Sequence, residues 1–133
     1  MIDFCHISPT KYLSDFCGQQ THHLLLAHLV ESDTDYAHWY RKNKDYNSKA
    51  TYILDNSAFE MYKQGRPMYP SDKLIEMGKA VNADYIVMSD YPNEHSSKTI
   101  EAAVDLAPKF KSEGFGTFFV PQSRIGDMED YIA

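Results

Sequence analysis

Two aspartates and a glutamine stand at the ends of three separate apolar runs. Asp55 follows Thr51-Tyr52-Ile53-Leu54, Asp90 follows Ile86-Val87-Met88-Ser89, and Gln122 follows Phe118-Phe119-Val120-Pro121. Two carboxylates gathered in one place suit general acid/base work, or recognition of a ring that carries several N–H donors. A carboxamide supplies donor and acceptor together, which suits reading the edge of such a ring. In Asp55-Asn56-Ser57-Ala58-Phe59-Glu60, small residues precede an aromatic. Ser57 and Ala58 let the backbone come close to a ligand, and Phe59 offers a face on which a planar one can stack. Each residue also has a plainer reading. Asp55 can cap the turn that follows it, Asp90 can cap Pro92-Asn93, and Phe59 can be an ordinary core side chain. Taken together, the three polar run-ends favour a site over three unrelated turn caps.

A second set competes with the first. His6 and His28 stand in Phe4-Cys5-His6-Ile7-Ser8 and Leu26-Ala27-His28-Leu29-Val30-Glu31. With Asp55 and Asp90 they would make a His/His/Asp/Asp metal set of the kind used by metal-dependent barrel hydrolases. The His-x-His pattern on one strand is absent, and the adjacent His22 and His23 would point to opposite faces of a strand. A lone strand-end histidine is more often a structural hydrogen-bonding residue, so the main reading contains no metal and no cofactor. Ser8 and Glu31 are further site-lining candidates.

Five strands must position these groups. They are expected near 3–8, 23–30, 51–55, 84–89 and 117–121, because short apolar runs rich in β-formers read as buried parallel strands. Helix signals lie between them. Ser8-Pro9-Thr10 opens a short helix closed at Cys17-Gly18, and Ser32-Asp33 caps one running to about Asn47 with Tyr36, Trp39 and Tyr40 on its core face. A loop around Gly65-Arg66-Pro67 precedes a helix capped by Ser71-Asp72 that runs to about Val81. Ser96-Ser97 opens a long helix, kinked or shortened at Pro108 and ended by Gly114, and Asp127 begins another.

Strand–helix alternation predicts an α/β fold with a parallel sheet and right-handed crossovers. In such folds function gathers at the carboxyl ends of the strands. A closed barrel needs eight strand–helix units, and 133 residues hold about five. The expected architecture is therefore one partial domain over 1–133, an incomplete TIM-type barrel of about five strands. Its two open edges call for a homo-oligomer or a missing C-terminal half.

Bulk composition narrows the classes. Hydrophobic residues make up 43% and aromatics 14%, enough for a packed core and against disorder. A net charge of −6 argues against a general electrostatic grip on nucleic acid. Cys5 and Cys17 show no zinc spacing and read as reduced thiols. No run approaches a membrane span, and Met1-Ile2-Asp3 lacks a basic signal-peptide start, so a soluble cytoplasmic protein without membrane contact is expected.

Three segments carry a family resemblance. Leu54-Asp55-Asn56-Ser57-Ala58-Phe59-Glu60 resembles the Asp-Ser-Gly-Gly-Phe-Gln segment of tRNA-guanine transglycosylases (queuine tRNA-ribosyltransferases). Ala83-Asp84-Tyr85-Ile86-Val87-Met88-Ser89-Asp90 resembles their later Ser-Asp-Ile-Val-Met-x-x-Asp strand, and Phe119-Val120-Pro121-Gln122 resembles the strand that ends in a base-reading Gln. The order matches, over roughly 51–123, and the likeness is greater to the shorter, often phage-encoded relatives that insert 7-deazaguanines into DNA. The resemblance implies base exchange: a carboxylate attacks the ribose anomeric carbon, guanine leaves and a 7-deazaguanine enters. It implies Asp55 as the acid/base near the scissile bond. Asn56, Ser57, Phe59, Asp90 and Gln122 would bind the purine or 7-deazaguanine of tRNA or DNA, with Phe59 stacking and Asp90 and Gln122 at the base edge. Ser57-Ala58 replaces Gly-Gly, Glu60 replaces Gln, and Ser123 replaces the Gly expected after Gln122. The family's nucleophilic Asp belongs to a later strand, so this chain corresponds to a base-recognition portion, inactive alone. A non-catalytic nucleobase- or nucleotide-binding protein is the remaining alternative.

Overall fold

The structure, a computed structural model, describes residues 2–133; Met1 of the expected domain lies outside the described residues. Five strands, Cys5–His6 (β1), His22–Leu26 (β2), Thr51–Asp55 (β3), Tyr85–Val87 (β4) and Gly116–Phe118 (β5), form one all-parallel sheet in the order β1-β2-β3-β4-β5. Helices alternate with them: Thr10–Phe16 (α1), Ala27–Ser32 (α2), Thr34–Tyr46 (α3), Ala58–Gln64 (α4), Ser71–Val81 (α5), Ser96–Ser112 (α6) and Met128–Ile132 (α7). The expected α/β alternation of parallel units is what the chain forms. No helix among the described residues is long and apolar enough to cross a membrane.

The two faces of the sheet differ. His23, Leu25, Tyr52, Leu54 and Ile86 are fully buried and join a core completed by Tyr36 and Tyr40 of α3, Leu74 of α5 and Phe110 of α6. The alternate residues Leu24, Leu26, Ile53 and Asp55 are only half-buried, as the period of two along a strand requires when one face is covered more than the other. Apolar runs of this kind predict burial on both faces, and here only one is fully covered. On the less covered face the Tyr85 ring lies against Gly116, where an added Cβ would stand 2.3 Å from a ring carbon. Tyr85 also meets Phe118 edge-on, with centroids 5.2 Å apart.

Polar side chains fasten the sheet at its amino end. Lys44 donates to Asp84 Oδ2 (2.6 Å) and to the Ala50 carbonyl, while the Tyr52 N–H donates to the same Asp84 oxygen (2.8 Å). Asn43 donates to the Tyr52 hydroxyl (2.8 Å), which donates to the Tyr40 carbonyl (2.8 Å). These bonds tie α3 to β3 and β4.

Several boundaries differ from those expected, for local reasons. The run at 23–30 is not one strand: β2 stops at Leu26, whose N–H is taken by the Tyr36 hydroxyl at 2.9 Å, and α2 follows. Leu29 and Val30 still pack against the core, as a short apolar run does in either conformation. His28 therefore sits in the first turn of α2 and not at a strand end. Strand β1 spans two residues where six were expected, and β4 and β5 are shorter than expected, although the Met88 N–H continues the ladder to the Phe118 carbonyl (3.0 Å). α4 occupies the stretch before the 65–67 loop, and α6 runs on through Pro108 to Ser112. Asp33 and Asp127 cap α3 and α7, whereas α5 begins after Pro70 with no side-chain cap.

Candidate functional site

At the carboxyl ends of β3, β4 and β5 a cavity of about 370 Å³ opens, within the range of small-molecule sites. Asp55, Asn56, Phe59, Asp90 and Gln122, chosen from sequence, all line it. Ser57 does not. It is fully buried beneath the cavity wall, where its hydroxyl accepts the His28 N–H (3.0 Å) and lies 2.8 Å from His28 Nδ1.

The turn after β3 sets this arrangement. Ser57 precedes α4 in a left-handed conformation, φ 57 and ψ 33, which is costly for a residue with a Cβ and is held here by its neighbours. Its N–H donates to Asp55 Oδ2 (3.0 Å), so Asp55 does cap its turn, and it also faces the cavity. Asn56, 1% exposed, accepts the Ala58 N–H on Oδ1 (2.8 Å). Its amide donates to the Met88 carbonyl (2.8 Å) and to Asp90 Oδ1 (2.6 Å).

Asp90 is the centre of the site. It is 4% exposed, and its second oxygen accepts from Gln122 Nε2 at 2.7 Å. The carboxylate is thus held between two carboxamides, not turned toward Pro92-Asn93 as a plain turn cap would be. Burial pushes its carboxyl above the ordinary value, and the bonds from Asn56 and Gln122 pull it partly back. Burial also raises Asp55, helped by the charges of Glu60 and Asp90 and opposed first by the Ser57 N–H. Phe59 is 60% exposed at the rim, so it is not a core residue, and Lys63 Nζ lies 5.4 Å from its ring centroid.

The wall that carries Gln122 is anchored from behind. Asp130 of α7, with its side chain fully buried, accepts the Ser96 N–H (3.0 and 3.1 Å) and the Arg124 N–H (2.9 Å). The Ile125 N–H donates to Asn93 Oδ1 (2.9 Å), fastening the same segment to the loop after β4. Tyr62, Asn93 and Ile125 also line the cavity and were missed from sequence. Only the Pro92-Asn93 turn signal pointed near them. An adjoining cavity of about 350 Å³ shares Ala58, Tyr62, Asp90 and Pro92, and adds Arg66, Glu94 and Lys98.

Other candidates fall away from this site. Among the described residues no group of three or more His, Cys, Asp or Glu is placed to hold a metal ion, so His6, His28, Asp55 and Asp90 do not assemble as a ligand set. Glu31 pairs with Arg66 (3.1 Å), and Ser8 lies outside the cavity lining. No protein-family model matches the chain, and no curated protein matches it significantly.

Proposed function

We propose that this chain is a transglycosylase-like, base-binding protein. In this reading it is the base-recognition portion of an enzyme that exchanges guanine for a 7-deazaguanine in tRNA or DNA. The observation that carries the reading is the Asp90 carboxylate, buried between the Asn56 and Gln122 carboxamides on a cavity it shares with Asp55 and Phe59. An ionised carboxylate accepts about four hydrogen bonds, and Asn56 and Gln122 use two of those places. The remaining lone pairs, with those of Asp55 and of Gln122 Oε1, make an acceptor-rich wall. A guanine-type edge presents a ring N–H beside an amino group and suits such a wall. Adenine would bring a bare ring nitrogen against a carboxylate, a repulsive element that supplies selectivity.

Two further observations support the reading. Where the resembled segment has Gly-Gly, Ser57 adopts the left-handed backbone that favours glycine. The sequential strand order suits a partial barrel better than a doubly wound sheet, whose order reverses. The half-buried face of Leu24, Leu26 and Ile53 would then be the inner face that a closed barrel fills. Exposed Phe4 beside β1 and Phe118 and Phe119 at β5 suit a second copy or further strand–helix units that complete it.

In the reaction, Asp55 would manage the proton of the leaving base, a task suited to a carboxyl that burial holds above its ordinary value. The attacking carboxylate would come from outside this chain. Calorimetry with guanine, 7-deazaguanine and adenine tests the reading. The two donor-edged bases should bind and adenine should not, while labelled guanine should not be exchanged into tRNA or DNA by the chain alone. Equal affinity for adenine, or no purine binding at millimolar concentration, would remove the base-reading role.

A further inference from the structure

Asn56 and Gln122 both donate to Asp90, but only one of them has a fixed orientation. Asn56 Oδ1 must be the acceptor of the Ala58 N–H, because an amide nitrogen cannot accept it. Its two Nδ2 hydrogens are then committed to Met88 O and Asp90 Oδ1. Turning this carboxamide over would break three hydrogen bonds inside a group that is 1% exposed. Gln122 is different. Its side chain is half-buried on the cavity wall, and its one hydrogen bond among the described residues runs from Nε2 to Asp90 Oδ2. Turning it over exchanges one bond for another.

We propose that Asp90 and Gln122 form a proton-coupled reading pair for which Asn56 is the fixed reference. When Asp90 takes a proton from solvent, the proton resides on Oδ2, because Oδ1 faces the immovable Asn56 donor. The Nε2–H···Oδ2 bond breaks, the Gln122 carboxamide turns over, and Oδ2–H donates to Gln122 Oε1. The group that Gln122 shows the cavity changes from an acceptor to a donor. Asn56 is therefore a positioning residue and does not read the ligand, while Gln122 determines specificity. The ionised pair suits an N–H-rich edge, and the protonated pair suits an edge with a carbonyl or bare ring nitrogen at that point.

The charged groups that share a cavity with Asp90 are Asp55 at the end of β3, Arg66 after α4, Glu94 before α6 and Lys98 within α6. They are acids and bases in equal number, so burial and the two carboxamides dominate its titration. The ligand's identity rests on the base-exchange reading, but the turnover of Gln122 does not need a ligand.

Nuclear magnetic resonance of the ligand-free chain tests this directly. The Asp90 carboxyl carbon is titrated while the protection of the Asn56 and Gln122 side-chain amide hydrogens against water exchange is followed. Below the Asp90 midpoint the Gln122 amide should lose its protection and the Asn56 amide should keep it. Retained protection of both, or loss at Asn56, would overturn the proposal. Gln122→Leu should raise the Asp90 midpoint and leave Asn56 protected; an unmoved midpoint would also count against it. In the intact chain, guanine affinity should fall by roughly tenfold or more as pH drops through that midpoint, the scale of one hydrogen bond to a charged group. The protection pattern without guanine binding would keep the pair and remove the base reading. Guanine binding without the pattern would do the reverse.

Discussion

Two regions of this molecule bury polar groups, and they use them differently. At the amino end of β2 and β3, His23, Tyr40 and Tyr52 meet edge-on with centroids 5.4–5.5 Å apart, and Tyr36 packs on Tyr40 at 5.0 Å. The Tyr52 hydroxyl bonds to Asn43 and to the Tyr40 carbonyl, and the Tyr36 hydroxyl to the Leu26 N–H. The Tyr40 hydroxyl and His23 Nδ1 are buried with no hydrogen-bond partner among the described residues, and none of the cavities described above reaches the cluster. At the carboxyl end, Asn56, Asp90 and Gln122 are as closely bonded, yet they border an open cavity and keep acceptor capacity in reserve. A buried polar network is therefore not by itself a sign of function. Spare lone pairs facing space mark the site, while edge-to-face packing with hydrogen bonds turned inward marks a structural cluster.

The largest test of this contrast is Tyr52→Ala. Truncating a fully buried aromatic that also bonds Asn43 should cost about 3–5 kcal/mol in urea unfolding. A loss below about 1 kcal/mol would mean that the aromatic cluster does not carry stability. Next comes Asp90→Ala, which should weaken guanine binding by about 1.5–3 kcal/mol in calorimetry, the scale of hydrogen bonds to a charged group. An unchanged affinity would make the upper network structural like the lower one. Phe59→Ala should lower the same affinity by about 0.5–1.5 kcal/mol through lost stacking. Its unfolding free energy should move by no more than about 0.5 kcal/mol, since the ring is 60% exposed.

The smallest expected effect is a pair of opposite pH slopes. Asp55 and Asp90 have raised folded-state values, so their contribution to stability is complete below the unfolded carboxyl range and is lost as pH rises through the raised values. Hydrogen bonds from Ser96 and then from the Arg124 N–H pull Asp130 down to about 2, so its contribution is present above the unfolded carboxyl range and fades as pH falls toward 2. Asp55→Asn, which can still accept the Ser57 N–H, should raise stability at neutral pH and not at pH 3. Asp130→Asn should lower it at neutral pH and matter least near pH 2. Identical slopes for the two variants in pH-dependent unfolding would contradict these assignments.

Much of this was legible residue by residue. The strand–helix alternation followed from apolar runs interleaved with helix starts at Asp33, Ser96-Ser97 and Asp127, although the Ser71-Asp72 cap expected for α5 does not form. The gathering of Asp55, Asp90 and Gln122 followed from their common place at run-ends, because parallel strands deliver such residues to one edge of the sheet. Other features were not legible. The run 23–30 reads as one strand, but β2 stops at Leu26, where the N–H donates to the Tyr36 hydroxyl ten residues away, and α2 follows. Gly116 looks like a strand-weakening residue until the Tyr85 ring is seen to need its space. The Asp130 anchor gave no signal at all, since a carboxylate in a terminal acidic stretch reads as solvated surface.

The sequence by itself determined the alternation of strands and helices and which polar groups arrive at the same end, because both depend on local pattern and on the fixed direction of parallel strands. Only the tertiary structure decided that Asn56 faces inward with its amide committed, that Asp90 lies between two carboxamides, and that Ser57 takes a left-handed turn beneath them. Those outcomes depend on which segments meet across 29 to 34 residues of chain, and hydrogen-bond capacity is settled only when the partners are in place.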